Sequence, residues 1–453
     1  MPDAFRTNDA GHLEIDGCDV VELADRFGAP LWVISESTVR ANYRRLRDAF
    51  RRVYEATDVL YATKANPQPA IIAAVLDEGA LVDAVTLGHL KLILRAGGTP
   101  DRIVFNGNSK TEEEMRFALD RRVRVINVDS LEEMELIAGL QPRTAEPQPV
   151  CLRIAVDNTR LMEEDPELAK SDWLGKFGMD PGDALEAAAL ALGHPGLELA
   201  GLHNHLGFSA YGTPYTPRLD VVRHERCVEQ TLEVAKAIRE QHDHRLAILN
   251  MGGGYRVGNP EGYGPGRLTE FPSAEDYAMA IGGTAKELCA EWDLGTPRLI
   301  LEAGGYLVSD AIALLARVGV RKTRRAGGEA REWASIENTS AYHFVRRLMF
   351  RFHHEVVVAN RMHDEADTRV SISGPICADD DVADEALLPA LRRGDLIAIL
   401  DNGSYCEAVT SDYCAVPIPP SVMVSDGRAA LTRRRETADD IVARFDVPEW
   451  LTA

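Results

Sequence analysis

The 453-residue sequence predicts an α/β protein: a (β/α)8 barrel with a second, mainly antiparallel β domain. Three observations predict it. Eight short apolar or β-branched runs alternate with helical patterns between residues 59 and 305. The runs are continuously apolar, as strands buried on both faces of a parallel sheet are, and parallel strands need crossover helices. Beyond residue 305 the rhythm stops, and strand-like runs are separated by turn residues instead.

The eight runs are VLYATK (59–64), LVDAV (81–85), RIVFNG (102–107), VRVINVD (123–129), VCLRIAVD (150–157), ELAGLHNHL (198–206), LAILNMGG (246–253) and RLILEAGG (298–305). Stretches such as PAIIAAVLDEG, LEEMELIAGL and DALEAAALALG lie between them and read as helices. A doubly wound open sheet is the rival arrangement. The count of eight, and the lack of GxGxxG after the first run, favour the barrel. The flanks carry PLWVISE (30–36), EVVVA (355–359), RVSISG (369–374), DLIAILD (395–401) and CAVPIPPSVMV (414–424). The expected division is therefore a barrel over 37–305 and a β domain from 1–36 plus 306–453. Long loops follow the fifth, sixth and seventh runs, on the face where barrels build active sites.

The net charge is −21, from 50 Lys+Arg against 71 Asp+Glu. Such a chain gains nothing from counterion release, so neither nucleic acid nor an anionic membrane is an expected partner. No run of apolar residues is long enough to span a bilayer, and the N-terminus lacks a signal-peptide core. Seven scattered cysteines form no CxxC, which points to a reducing cytoplasm.

Reactive side chains gather at the ends of the runs. Lys64 closes the first, Asp83 lies in the second, Arg153 in the fifth, His205 near the end of the sixth, Gly252–Gly254 at the seventh and Glu302 in the eighth. A barrel carries all of them to one rim. A lysine in an apolar strand is costly unless paired or neutral, and a desolvated amine attacks carbonyls. Alone, it reads equally as a snorkelling side chain. Bare glycine amides can cradle a phosphate, although glycine turns are common. His203 and His205 form HxH, which suits a metal or a ring stacked on a flat cofactor. No acidic or cysteine third ligand lies nearby in sequence, so no metal is expected. Lysine, glycines, histidine and carboxylate together suggest pyridoxal phosphate.

The sequence resembles the fold-type III pyridoxal-phosphate decarboxylases, the diaminopimelate and ornithine decarboxylase group. YATKAN (61–66), FNGNSK (105–110), KFG (176–178), HNHLG (203–207), GGGY (252–255), EAGG (302–305), GPICADDD (374–381) and GSY (403–405) match in order. The resemblance implies a TIM barrel plus β domain, as in ornithine decarboxylase and alanine racemase. It implies Lys64 as the Schiff-base lysine and His205 as the ring-stacking histidine. Gly252, Gly253, Gly254 and Tyr405 would take the phosphate, with Gly304 and Gly305 also at the cofactor. Glu302 would pair with the pyridine nitrogen, Asp83 and Arg153 would support the cofactor, and Cys377 would be a catalytic cysteine supplied across a homodimer interface. A carboxylate at 302 keeps the ring protonated and so favours decarboxylation over racemisation.

Departures fall at the substrate end. Gly305 stands where the family has an arginine, and Phe208 replaces a phosphate-binding serine, with Ser209 next in line. Ala378 replaces the acid after Cys377 and is followed by Asp379 and Asp380. Arg346 matches a carboxylate-binding arginine, but Phe350 stands where a tyrosine is expected. The expected substrate is an amino acid with a modified or larger distal group, bound through Arg346, Phe350, Ala378, Asp379 and Tyr405. The alternatives are meso-diaminopimelate itself, giving L-lysine, or racemase or aldolase chemistry on the same fold.

Overall fold

A computed structural model describes residues 1–155, 175–206, 217–257, 270–326, 329–350, 352–378 and 380–451. Most of the three long loops falls outside these residues, as do Phe208, Ser209 and Asp379; the backbone of Phe350 is described, its side chain is not. The chain forms two compact units: Arg40–Arg256 with Leu268–Leu307, and Met1–Val39 with Val257–Arg267 and Val308–Ala453.

The first unit is a closed barrel of eight strands, each hydrogen-bonded in parallel to the next. They are β1 (Thr57–Tyr61), β2 (Leu81–Ala84), β3 (Ile103–Phe105), β4 (Val125–Val128), β5 (Gln148–Arg153), β6 (Leu197–His203), β7 (Ile248–Asn250) and β8 (Arg298–Ala303). Leu60, Leu81, Val104, Val125, Cys151, Ala200 and Ile300 pack as one buried apolar cluster inside it.

Side chains two residues apart on a strand share a face. Two residues beyond this apolar layer, the sequence turns polar on strand after strand: Asp83, Asn106, Asn127, Arg153, Asn250 and Glu302. On β6 the register shifts between Leu199 and Gly201, so one extra residue brings His203 to the same level. A Cβ at Gly201 would run into the Ile248 carbonyl, which is why the irregularity sits at a glycine. Helix caps then fix the rim: Thr86 accepts the His89 N–H, Ser130 accepts the Glu133 N–H, and Thr111 and Glu114 form a reciprocal capping box.

The second unit is a mixed sheet with more antiparallel than parallel pairings. Leu31–Ser35 pairs antiparallel with Ile312–Ala326 and parallel with Ser421–Ser425. Strand residues from both chain ends therefore lie side by side. The fifteen-residue strand Ile312–Ala326 was not among the runs read from the sequence. It pairs with Leu31–Ser35 and Leu396–Ile399 along one half and with Glu329–Ile336 along the other. Leu31, Val33, Ala313, Leu315, Leu396, Ala398, Val422 and Val424 form its core.

Candidate active site

The polar layer of the barrel is one connected network. Glu302 is 3% exposed, and its Oε1 accepts from Asn106 Nδ2 at 3.0 Å and Asn250 Nδ2 at 2.9 Å, with His203 Nε2 3.3 Å away. Burial alone would raise the Glu302 carboxyl. His203 foremost, then Lys64, outweigh that and hold it well below the usual carboxylate range. Asp83 accepts the Thr63 N–H at 2.8 Å and the Thr63 hydroxyl at 3.1 Å. Burial, helped by Glu302, pushes Asp83 up to about 6 although Lys64 opposes it.

Lys64 lies in the short 3-10 turn Thr63–Ala65 that directly follows β1. It is half-buried, and its charge reaches Asp83, Glu302, His203 and His205. Burial and then Lys64 hold His205 well below its ordinary value, so the ring is neutral. Its Nδ1 accepts the Gly253 N–H at 2.8 Å, which leaves the ring proton on Nε2. That bond also fixes the plane of the ring.

The glycine turn departs from the expected anion cradle. The Gly252 N–H donates to Asn250 Oδ1 at 3.0 Å and the Gly253 N–H to His205. Two of the three amides are thus committed inside the barrel. Only the Gly254 N–H, with that of Tyr255, has no acceptor among the described residues. The glycines are instead demanded by crowding: Gly252 has φ +62°, and a Cβ there would meet the Asn204 carbonyl and His205. Gly304 faces Ala62 and Ala65 with only 3.2 and 3.1 Å to spare for a Cβ, and Gly305 opens the short helix Gly305–Val308.

A second shell of charge ties FNGNSK and KFG to Arg153. The Lys110 ammonium is fully buried and donates to the carbonyls of Gly107 (2.8 Å) and Asn127 (2.7 Å) and to Glu133 Oε1 (2.6 Å). Glu133 also accepts the Asp129 N–H at 2.7 Å. Asp129 accepts from Arg153 at 3.3 Å and from the Gly178 N–H at 3.2 Å, and the Arg153 guanidinium lies 4.4 Å over the Phe177 ring. Sequence reading missed Asn106, Asn127, Asn250, Asp129 and Lys110 as site residues. The signal was present: each of the first three stands two residues beyond an apolar barrel position.

The remaining predicted residues lie in the β unit. Cys377 and Ala378 are exposed. Asp380 is not available to a ligand: it accepts the N–H groups of Ala341 (2.6 Å) and Ile376 (3.2 Å) and so fixes the turn that bears Cys377. Arg346 is buried, with its guanidinium 3.8 Å over the Phe352 ring and 3.4 Å from Ser309 Oγ, which meets Ser404 Oγ at 2.6 Å. Tyr405 has φ +55°, an uncommon conformation for a side chain of its size. Two residues earlier, at Gly403, a Cβ would collide with the Val308 carbonyl.

Among the described residues, no helix is long and apolar enough to cross a membrane, and no three His, Cys, Asp or Glu side chains are grouped to hold a metal. The barrel mouth does suit pyridoxal phosphate. An amine, an ionised carboxylate, a neutral imidazole and an unsatisfied amide converge there. Comparison with known proteins agrees. Residues 36–309 match the family described as pyridoxal-dependent decarboxylase, pyridoxal binding domain, and residues 305–403 match pyridoxal-dependent decarboxylase, C-terminal sheet domain. The chain is 34% identical to the diaminopimelate decarboxylase of Methanothermobacter thermautotrophicus, across 100% of this chain and 99% of that one. It is 30% identical to the Bacillus subtilis enzyme of the same name, across 98% and 97%. The crystal structure of diaminopimelate decarboxylase from M. jannaschii with L-lysine superposes with a TM-score of 0.86 at 30% identity, over 99% of each chain.

Proposed function

We propose roles for the residues of this site on the premise that the chain belongs to the pyridoxal-dependent decarboxylase family. It is a pyridoxal-phosphate-dependent amino-acid decarboxylase similar to diaminopimelate decarboxylases. The bound cofactor supplies an electron sink for the pair left on Cα when CO2 departs. Lys64 holds the cofactor through its amine. Glu302, held ionised by His203 and Lys64, would hold the proton on the ring nitrogen. His205 would lie against one ring face, its own ring oriented by the Gly253 N–H. The Gly254 amide and Tyr405 take the phosphate. Arg153, braced by Asp129, Glu133 and Lys110, supports the site from below together with Asp83.

Cys377 serves as a proton donor or acceptor in a homodimer, one copy completing the site of the other; its exposure supports that reading. Seven scattered cysteines without CxxC and the −21 charge support a cytoplasmic enzyme without nucleic-acid partners.

The substrate is an amino acid whose distal end is not a free pair of charges. The observation that carries this is the loss of distal partners: Gly305 offers no cation, Ala378 no anion, and the Asp380 carboxylate is spent on backbone N–H groups. A site built to pair charges rejects analogues strongly, and removing its partners removes that preference. The full-length similarity to diaminopimelate decarboxylases favours meso-diaminopimelate as the second reading. A screen of amino acids and their distal conjugates for CO2 release decides. A conjugate turned over with kcat/KM at least tenfold above meso-diaminopimelate supports the first reading, and the reverse order overturns it.

A further inference from the structure

Asn106 stands between two buried carboxylates. Its side-chain nitrogen donates to Asp83 Oδ2 at 3.3 Å and to Glu302 Oε1 at 3.0 Å. Its oxygen accepts from Asn127 Nδ2 at 2.5 Å, which settles which end of the amide faces the acids. Asn106, Asp83 and Glu302 are all at most 5% exposed. Two carboxylates this close to one donor, out of water, do not both ionise cheaply; a proton stays on the one with the poorer environment. The surrounding groups are Lys64, Arg153, His203 and His205, with His89 reaching Thr63 at 3.2 Å. Glu302 also accepts from Asn250 and has His203 Nε2 3.3 Å away, and Asp83 also accepts from the Thr63 N–H and hydroxyl.

We propose that Asn106 is a positioning residue that keeps Glu302 the ionised member of the Asp83–Glu302 pair, so that Glu302 serves the cofactor ring. This rests on the reading that Glu302 meets the ring nitrogen. By donating to both acids Asn106 lowers their mutual repulsion, and its shorter bond to Glu302, 3.0 Å against 3.3 Å, favours leaving the remaining proton on Asp83. Without Asn106, the repulsion returns and the pair holds a shared proton to higher pH, at the expense of Glu302.

The test is a double-mutant cycle on the full-length enzyme with N106L, D83N and D83N/N106L. Pyridoxal phosphate affinity is measured by the visible absorbance of bound cofactor from about pH 5.5 to about pH 8.5, with kcat/KM over the same range. N106L is expected to weaken cofactor binding about tenfold near pH 6 and less at the alkaline end, and to move the acid limb of kcat/KM up by about one unit. With Asp83 already neutralised by D83N, N106L should cost less than about twofold. A loss of equal size in both backgrounds, or one that does not vary with pH, overturns the proposal and leaves Asn106 a packing residue. If N106L does not fold, N106S is carried through the same cycle with the same criteria. A wild-type chain that binds no pyridoxal phosphate would instead overturn the cofactor reading, and this proposal with it.

Discussion

His205 Nδ1 accepts the Gly253 N–H at 2.8 Å, which joins the end of one barrel strand to the glycine turn that follows the next. The contact accounts for two motifs at once. The histidine ring is held neutral and in plane, and the second glycine is needed because any Cβ there would meet the Glu302 carbonyl. Gly253→Ala should therefore act on the cofactor site more than on the fold. The expected cost is about 1–3 kcal/mol of local strain. Equilibrium dialysis should show pyridoxal phosphate affinity falling at least about tenfold, and an unchanged affinity would refute this role for the turn.

Lys110 is a buried cation of the barrel, paired at 2.6 Å with Glu133. Burial lowers its pKa, and Glu133 opposes the shift. Lys110→Met removes one partner and strands a carboxylate that is only 8% exposed. Breaking a buried pair in this way costs about 3–5 kcal/mol. Urea denaturation should show most of that loss recovered in Lys110→Met/Glu133→Gln. Failure of the second change to restore stability would mean that the Gly107 and Asn127 carbonyls, not the ion pair, set the cost.

Asp380 gives a pH dependence of known sign. Burial raises its carboxyl to about 6, above the unfolded value of 3.8, despite the Ala341 and Ile376 N–H groups; Asp381 adds repulsion. The folded state therefore holds the proton more tightly than the unfolded one between these values. That contribution is complete below the unfolded value and is lost as pH rises through about 6. Asp380→Asn has no such titration, so the wild-type advantage in Tm should shrink from acid to neutral pH. A Tm difference that stays constant through this window would show that Asp380 does not titrate there.

Much of the barrel was legible because burial on both faces makes its strands continuously apolar, and because βα alternation leaves few topologies. Lys64, His205 and Glu302 stood out as polar groups at the ends of such runs. The asparagines did not, since a single Asn near a strand end looks like a turn residue; only the shared two-residue offset from Val104, Val125 and Ile248 reveals them as one layer. The expectation for Gly252–Gly254 differed from the structure for a related reason. Sequence shows which amides are unhindered, but not which of them neighbouring strands already occupy. The strand Ile312–Ala326 escaped because a long part of it, VRKTRR (320–325), is mostly polar and exposed. Asp380 looked like a spare acid until its backbone partners, some forty residues away at Ala341, were seen.

On the roles proposed above, this barrel carries pyridoxal phosphate on Lys64. Borohydride reduction of the purified holoenzyme, followed by peptide mass spectrometry, tests it most directly. A single pyridoxyl-phosphate adduct is expected on the peptide containing YATKAN, with its loss together with the visible absorbance in Lys64→Ala. An adduct on another lysine, or an unaltered spectrum in Lys64→Ala, would contradict it.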